Sequence, residues 1–344
     1  MNPRVTLQPT FSYSISIKSL LENNDDDKAY VVNSARSSLW IALNSLLKDK
    51  NKIKKILLPD LICSEIIPII EQFKLPIVFY SINDQLNPDI NFIEQNIKND
   101  LSIILVINYF GNPSNWKDLI ELRNSHDCII IEDNAHSLYG SFDNNSFGNL
   151  GDISFNSLRK VLPVLSGSVL KINSALKIAT NLPNRFLNFS EFRYSLRSLN
   201  PYKKRFKLRA NEDVSLTTYD IIQSVDYFSY KIYLSQKNNK DIICNQRRSN
   251  YNFWSNFLKE SDLEFINLDS SSCPYAMPCL FDDKRVYKKW VNWGIKNNIA
   301  LIKWPSLPTL SSFKLKNNRL KNILLFPVNH MHNMNDINLS NVKD

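Results

Sequence analysis

At 344 residues, 43% of them hydrophobic and 22% charged, the chain can bury a substantial core and has length for about two domains. A formal charge of +9 invites a nucleic-acid role, but no recognition motif accompanies it, so no nucleic-acid partner is expected. An anionic small substrate fits the same balance.

From about residue 53, short apolar runs alternate with amphipathic stretches. Lys55 to Pro59 reads as a buried strand, Ser64 to about Phe73 as a helix, Pro76 to Tyr80 as a second strand and Asn91 to Ile97 as a short helix. Ser102 to Ile107 is a third strand, Asn115 to His126 a helix, and Cys128 to Ile131 a fourth strand that runs into Glu132-Asp133. Continuous apolar strands alternating with helices predict a parallel sheet covered on both faces, in three αβα layers. Ligands of such sheets sit at the carboxyl ends of the strands, which puts Asp60, Asn108-Tyr109 and Asp133 on one rim. Two further strands are expected at Asp152–Asn156 and Ser168–Ile172, with Ser157-Leu158-Arg159-Lys160 in a loop between them. The basic, aromatic stretch from Arg185 to Arg209 has no clean period and reads as a solvated arm or a subunit contact. Helices follow at about 218–235 and 245–259, then a short element at Tyr275–Pro278, a helix near 284–297 and a strand near Leu324–Phe326. The expected organisation is an α/β large domain, residues 1–235, and a smaller α+β domain, residues 236–344.

Five scattered cysteines, Cys63, Cys128, Cys244, Cys273 and Cys279, form no C-x-x-C pair and no zinc spacing with the four histidines. No metal site is expected, and a reducing compartment is the simple reading. No basic-then-apolar leader opens the chain and no segment approaches 18 apolar residues, so a cytoplasmic protein without membrane insertion is expected.

Two residues carry most of the chemistry. Asp133 follows three isoleucines and should be buried at a strand end, where a carboxylate is costly unless paired. Lys160 lies 27 residues on, after another strand; a partly desolvated lysine can attack an aldehyde. Pyridoxal phosphate uses such a pair, an amine for its aldehyde and an acid for its pyridine nitrogen. The anion would need a third element. Asn33-Ser34-Ala35-Arg36-Ser37-Ser38 precedes the amphipathic run from Leu39, so free amides at a helix start could hold phosphate, as could the Ser157 hydroxyl. An ordinary N-cap and a solvent-exposed lysine would explain the same residues.

In chain order these segments resemble the DegT/DnrJ/StrS family of pyridoxal-phosphate sugar aminotransferases, within the type I aminotransferase fold. Ser34 to Leu39 is similar to its phosphate-site helix start, and Asn108-Tyr109-Phe110-Gly111-Asn112-Pro113 to its turn with the pattern h-x-F-G-x-P. Ile131-Glu132-Asp133-Asn134-Ala135-His136 resembles its E-D-x-A-[QH] signature. Phe147 to Asp152 resembles its G-x-x-G-D step, and Ser157 to Lys160 its lysine loop. Arg247 to Tyr251, Lys303-Trp304-Pro305 and Phe326 to His330 are similar to parts of its small domain.

The resemblance implies a pyridoxal-phosphate aminotransferase that moves an amino group from glutamate to a keto sugar, usually nucleotide-linked, for surface glycans or antibiotics. Lys160 would form the internal aldimine and shuttle the proton, Asp133 would pair with the pyridinium nitrogen, and His136 would lie against the ring or its phenolic oxygen. Ser34, Ser157 and the amides of Ala35 and Arg36 would hold phosphate; Tyr109 and His330 would lie near substrate. Family members are homodimers with sites at the subunit interface, and family dehydratases carry histidine in place of the lysine. The chain departs from the pattern at Ala35, where glycine is usual, at Ser166-Gly167-Ser168, which keeps one of two glycines, and at Cys63, near a stacking aromatic. Two other readings stay open: a different pyridoxal-phosphate reaction on the same scaffold, and a non-catalytic homologue that serves as a partner subunit.

Overall fold

The structure is a computed structural model and describes residues 5–9, 30–49, 52–98, 100–173, 224–310 and 313–339. Its centre is a seven-stranded sheet of β1 (Tyr30–Val32), β2 (Lys55–Pro59), β3 (Ile77–Tyr80), β4 (Ser102–Ile107), β5 (Cys128–Asn134), β8 (Ile153–Asn156) and β9 (Ser168–Ile172). Their order across the sheet is β1-β9-β8-β5-β4-β2-β3. The strands from β2 to β8 are parallel to their neighbours, and β9 pairs antiparallel with both β8 and β1. The expected mostly parallel α/β sheet is therefore present, with one reversed strand.

The central strands form because their sequences bury both faces. All six residues of β4 are buried, as are Leu57, Leu58, Ile130 and Ile131 of its neighbours. Helices Ile90–Ile97 and Trp116–Ser125 connect the strands and send Ile93, Ile97, Leu119 and Leu122 into the core. Between β5 and β8 a two-stranded hairpin, β6 (Ser141–Phe142) and β7 (Asn145–Ser146), turns through Asp143 and Asn144, both at positive φ.

Several boundaries differ from the sequence reading. The stretch from Ser64 begins as a 3-10 turn, Ser64–Ile66, and continues as the short helix Ile67–Glu71. Lys160 does not sit in a loop: Leu158–Val161 is a single helical turn, with the amide of Leu162 donating to the Leu158 carbonyl. The helix expected from residue 218 begins at Tyr227, where Asp226 caps it by accepting from the Ser229 amide; residues 218–223 and the arm at Arg185–Arg209 lie outside the described residues. The next helix, Lys240–Phe257, starts one and a half turns earlier than expected.

Residues 264–327 build a four-stranded antiparallel sheet in the order β10 (Glu264–Phe265), β11 (Ala276–Leu280), β13 (Ile323–Pro327), β12 (Ile302–Trp304). Helices Lys240–Phe257 and Lys284–Lys296 cover it through Trp254 and Trp290, which pack on Phe326, and Trp293, which packs on both of them. One continuous apolar cluster joins this sheet to the large one. A second, smaller cluster packs Leu158, Val161, Leu162 and Val164 against Tyr230, Ile232 and Leu234.

Candidate active site

At the carboxyl ends of β5 and β8, Ser34, Ala35, Arg36, Asp133, His136, Ser157 and Lys160 line a single cavity of about 470 Å³. That size suits a small ligand. Asn33, Cys63, Glu65, Arg159, Gly167 and Trp304 complete much of its wall. The acid, the amine and the helix start expected from the sequence are thus brought together.

Asp133 is the last residue but one of β5 and is buried. Its Oδ1 accepts the Ala135 amide at 2.8 Å, its one hydrogen bond among the described residues. Burial pushes its carboxyl up to about 6, against the pull of that amide and of Lys160. The acid is therefore held ready for a cationic partner. Lys160 reaches the same cavity from its helical turn, with its amine 5.7 Å from the centre of the Tyr275 ring. Burial lowers its pKa, opposed by Cys63 and Asp133 and assisted by Arg159.

Opposite them, the helix Ala35–Leu46 points its amino end into the cavity. Ser34 caps it by accepting the Ser37 amide at 3.2 Å, and the Ser38 amide donates to the Ser34 carbonyl. The amides of Ala35 and Arg36 donate to no described group, which leaves two donors and the helix dipole for an anion. Ala35 begins the helix in regular geometry, so the missing glycine does not disturb these amides. Ser157 precedes the lysine turn without capping it and also lines the cavity.

His136 stacks on Tyr275 at 4.7 Å and on Phe110 at 5.4 Å, with the edge of Trp304 at 5.5 Å. Burial holds its imidazole well below the ordinary pKa, so it is neutral, and its Nδ1 is a buried polar atom with no partner among the described residues. Among the expected substrate residues, neither Tyr109 nor His330 lines the cavity. The Tyr109 hydroxyl donates to the Leu61 carbonyl at 2.6 Å, and burial lowers the His330 pKa to about 3. Asp60, expected on the same rim, instead accepts the amides of Ile82 and Lys316.

Sequence reasoning missed three contributors. Glu132 is completely buried and accepts the amides of Gly148, Leu150 and Gly151 at 2.9 to 3.2 Å, together with side-chain amides of Asn108 and Asn134. This network fixes the strand end that carries Asp133. Tyr275 and Trp304 come from the small sheet, more than 110 residues after Lys160, and no local signal ties them to it.

The sequence model of the DegT/DnrJ/EryC1/StrS aminotransferase family matches residues 18–167, the segment that carries the helix start, Asp133 and Lys160. That segment, a little under half of the chain, is similar to this family. It is 27% identical over 128 residues to GDP-4-keto-6-deoxy-D-mannose 3-dehydratase of Escherichia coli O55:H7, covering 36% of this chain and 33% of that protein. It is 30% identical over 79 residues to GDP-perosamine synthase of Escherichia coli O157:H7, covering 23% and 22%. The matches thus span a third or less of those relatives. A solved structure of the Escherichia coli 3-dehydratase with bound hydrated PLP superimposes with a TM-score of 0.70 over 97% of both chains, at 16% identity. That likeness gives the fold, the type I PLP-transferase fold. Among the described residues no helix is long and apolar enough to cross a membrane, and no cluster of three or more acidic, cysteine or histidine residues could hold a metal.

Proposed function

We propose that this chain is a member of that family, a pyridoxal-phosphate aminotransferase that moves an amino group, from glutamate, onto a nucleotide-linked keto sugar. One juxtaposition carries the reading: Lys160 and Asp133 line the same cavity as a helix start with two unengaged amides. The residues fit the cofactor by chemistry. Asp133 has a carboxylate oxygen without a hydrogen bond for the ring nitrogen, Lys160 offers an amine to the aldehyde, and the amides of Ala35 and Arg36 with the Ser157 hydroxyl suit a phosphate. The orphaned Nδ1 of His136 suits the phenolic oxygen.

When bound, the cofactor supplies an electron sink that stabilises negative charge at the substrate carbon. The protein does the rest. Asp133 would hold the proton on the ring nitrogen; Lys160, its pKa lowered by burial, would hold the cofactor through its amine and, when free of it, would move a proton at the substrate carbon. Neutral His136, fixed by its stack with Phe110 and Tyr275, orients without adding charge. The names of the relatives support a nucleotide-linked sugar as substrate. The same reading includes a homodimer with sites at the subunit interface.

Dehydration of such a sugar is the second reading, favoured because one sequence relative and several of the similar solved structures are 3-dehydratases. Lys160 speaks against it, since family dehydratases carry histidine there. Purified protein mixed with pyridoxal phosphate should develop an absorbance band at about 410 to 430 nm, and Lys160→Ala should lose it. An unchanged spectrum in the variant would put the covalent link elsewhere. No band in the wild type would leave a non-catalytic partner subunit. Glutamate with a panel of nucleotide-linked keto sugars, read for an aminated or a deoxygenated product, separates the two enzymatic readings.

A further inference from the structure

Arg247 is the only arginine among the largest fully buried side chains, and no carboxylate pairs with it among the described residues. A buried charge costs several kcal/mol unless its surroundings compensate. Here the compensation is made of carbonyl dipoles. One terminal nitrogen donates to the carbonyls of Pro274 at 3.1 Å and Tyr275 at 3.4 Å. The other donates to those of Val161 at 3.2 Å and Lys160 at 3.5 Å, while Nε has no partner among the described residues. The second pair are carbonyls at the open end of the lysine turn, where a cation is favoured. The first pair belong to the segment that puts the Tyr275 ring beneath the Lys160 amine and against His136.

We propose that Arg247 is a positioning residue: its planar fork locks the carbonyl end of the lysine turn and the Tyr275 segment in one register, and so holds the Lys160 amine over that ring inside the cavity. The proposal rests on the reading of Lys160 as the reactive amine. Lysine in its place keeps the charge but offers one point of donors rather than a fork that spans two pairs of carbonyls. A turn released from that grip lets the amine reach water, where burial no longer opposes its charge.

The test uses cofactor-free protein, so it does not depend on the cofactor being bound. Acetylation of Lys160 by acetic anhydride, followed by peptide mass spectrometry across pH, gives the titration of that one amine. In the wild type it should fall below the ordinary lysine value of about 10.4. Arg247→Lys should raise it by about one unit, with acetylation at neutral pH slowed about tenfold. Arg248→Lys is the control for general loosening, because Arg248 anchors the carbonyls of Asp269, Ser270 and Ser272 in the same loop. Its titration should match the wild type. A folded Arg247→Lys variant that titrates like the wild type overturns the proposal, as does an equal shift in Arg248→Lys. If Arg247→Lys yields no folded protein, Arg247→Gln decides: its planar amide can reach only one of the two pairs of carbonyls, and an unmoved Lys160 titration there is equally fatal. A wild type without the absorbance band would remove the cofactor reading while leaving this register measurable.

Discussion

Asp133 has little company for a buried carboxylate, one amide and a lysine across the cavity. Its folded pKa of about 6 lies above the ordinary 3.8, so between those values the folded state binds a proton that the unfolded state does not. Stability from this group is therefore greatest below 3.8, falls as pH rises towards about 6, and stays reduced above it by about 3 kcal/mol. Asp133→Asn should make the cofactor-free protein about 2 to 3 kcal/mol more stable at pH 7, with the gain vanishing near pH 4, in urea unfolding at the two pH values. The same variant should hold pyridoxal phosphate less tightly. Equal midpoints at pH 7 would mean that the acid is better solvated than its burial implies. Glu132, the residue before it, is the opposite case, a carboxylate surrounded by donors. Asp133 was legible because three isoleucines set it at a strand end and a lysine follows another strand. Glu132 was not, because its partners are amides of a loop whose path no residue near Glu132 specifies.

The strands with continuous apolar runs, β2, β4 and β5, could be read directly because burial on both faces leaves no other pattern. Three-residue β1 and two-residue β10 carry too few side chains for a period. The lysine turn escaped for a related reason: four residues make one helical turn only because the surrounding structure closes it. Gly167 is part of that closure. It sits at φ +124°, its amide donates to the Asn33 carbonyl, and its carbonyl receives the Leu158 amide. A Cβ there would stand 2.7 Å from Leu158 Cδ1. Gly167→Ala should cost about 2 kcal/mol in chemical unfolding and weaken cofactor retention, because Leu158 opens the lysine turn. A variant as stable as the wild type would show that Leu158 can swing aside. Ser166, beside Gly167, is held differently: its hydroxyl donates to Asp226 Oδ2 and its amide to Ser229 Oγ, both at the start of the helix Tyr227–Gln236.

Across the whole molecule, one large core unites both sheets, and its apolar patterning made the class of fold plain from the sequence. The docking of the small sheet against the cavity was not legible. Trp304 and Tyr275 reach His136 through tertiary packing alone, and the pairing of their strands through β13 is a long-range choice. The apolar side of the lysine turn belongs to the second, smaller cluster with Tyr230, Ile232 and Leu234. Small clusters open at lower free energy than a main core. Heating the loaded protein should therefore release the cofactor, followed by its absorbance, several degrees before far-ultraviolet circular dichroism reports loss of the sheets; coincident transitions would argue for one cooperative unit. Such a protein would have a weakest point that is also its working point. Gentle warming would empty it while its architecture stood, and cooling in fresh cofactor would restore it without refolding.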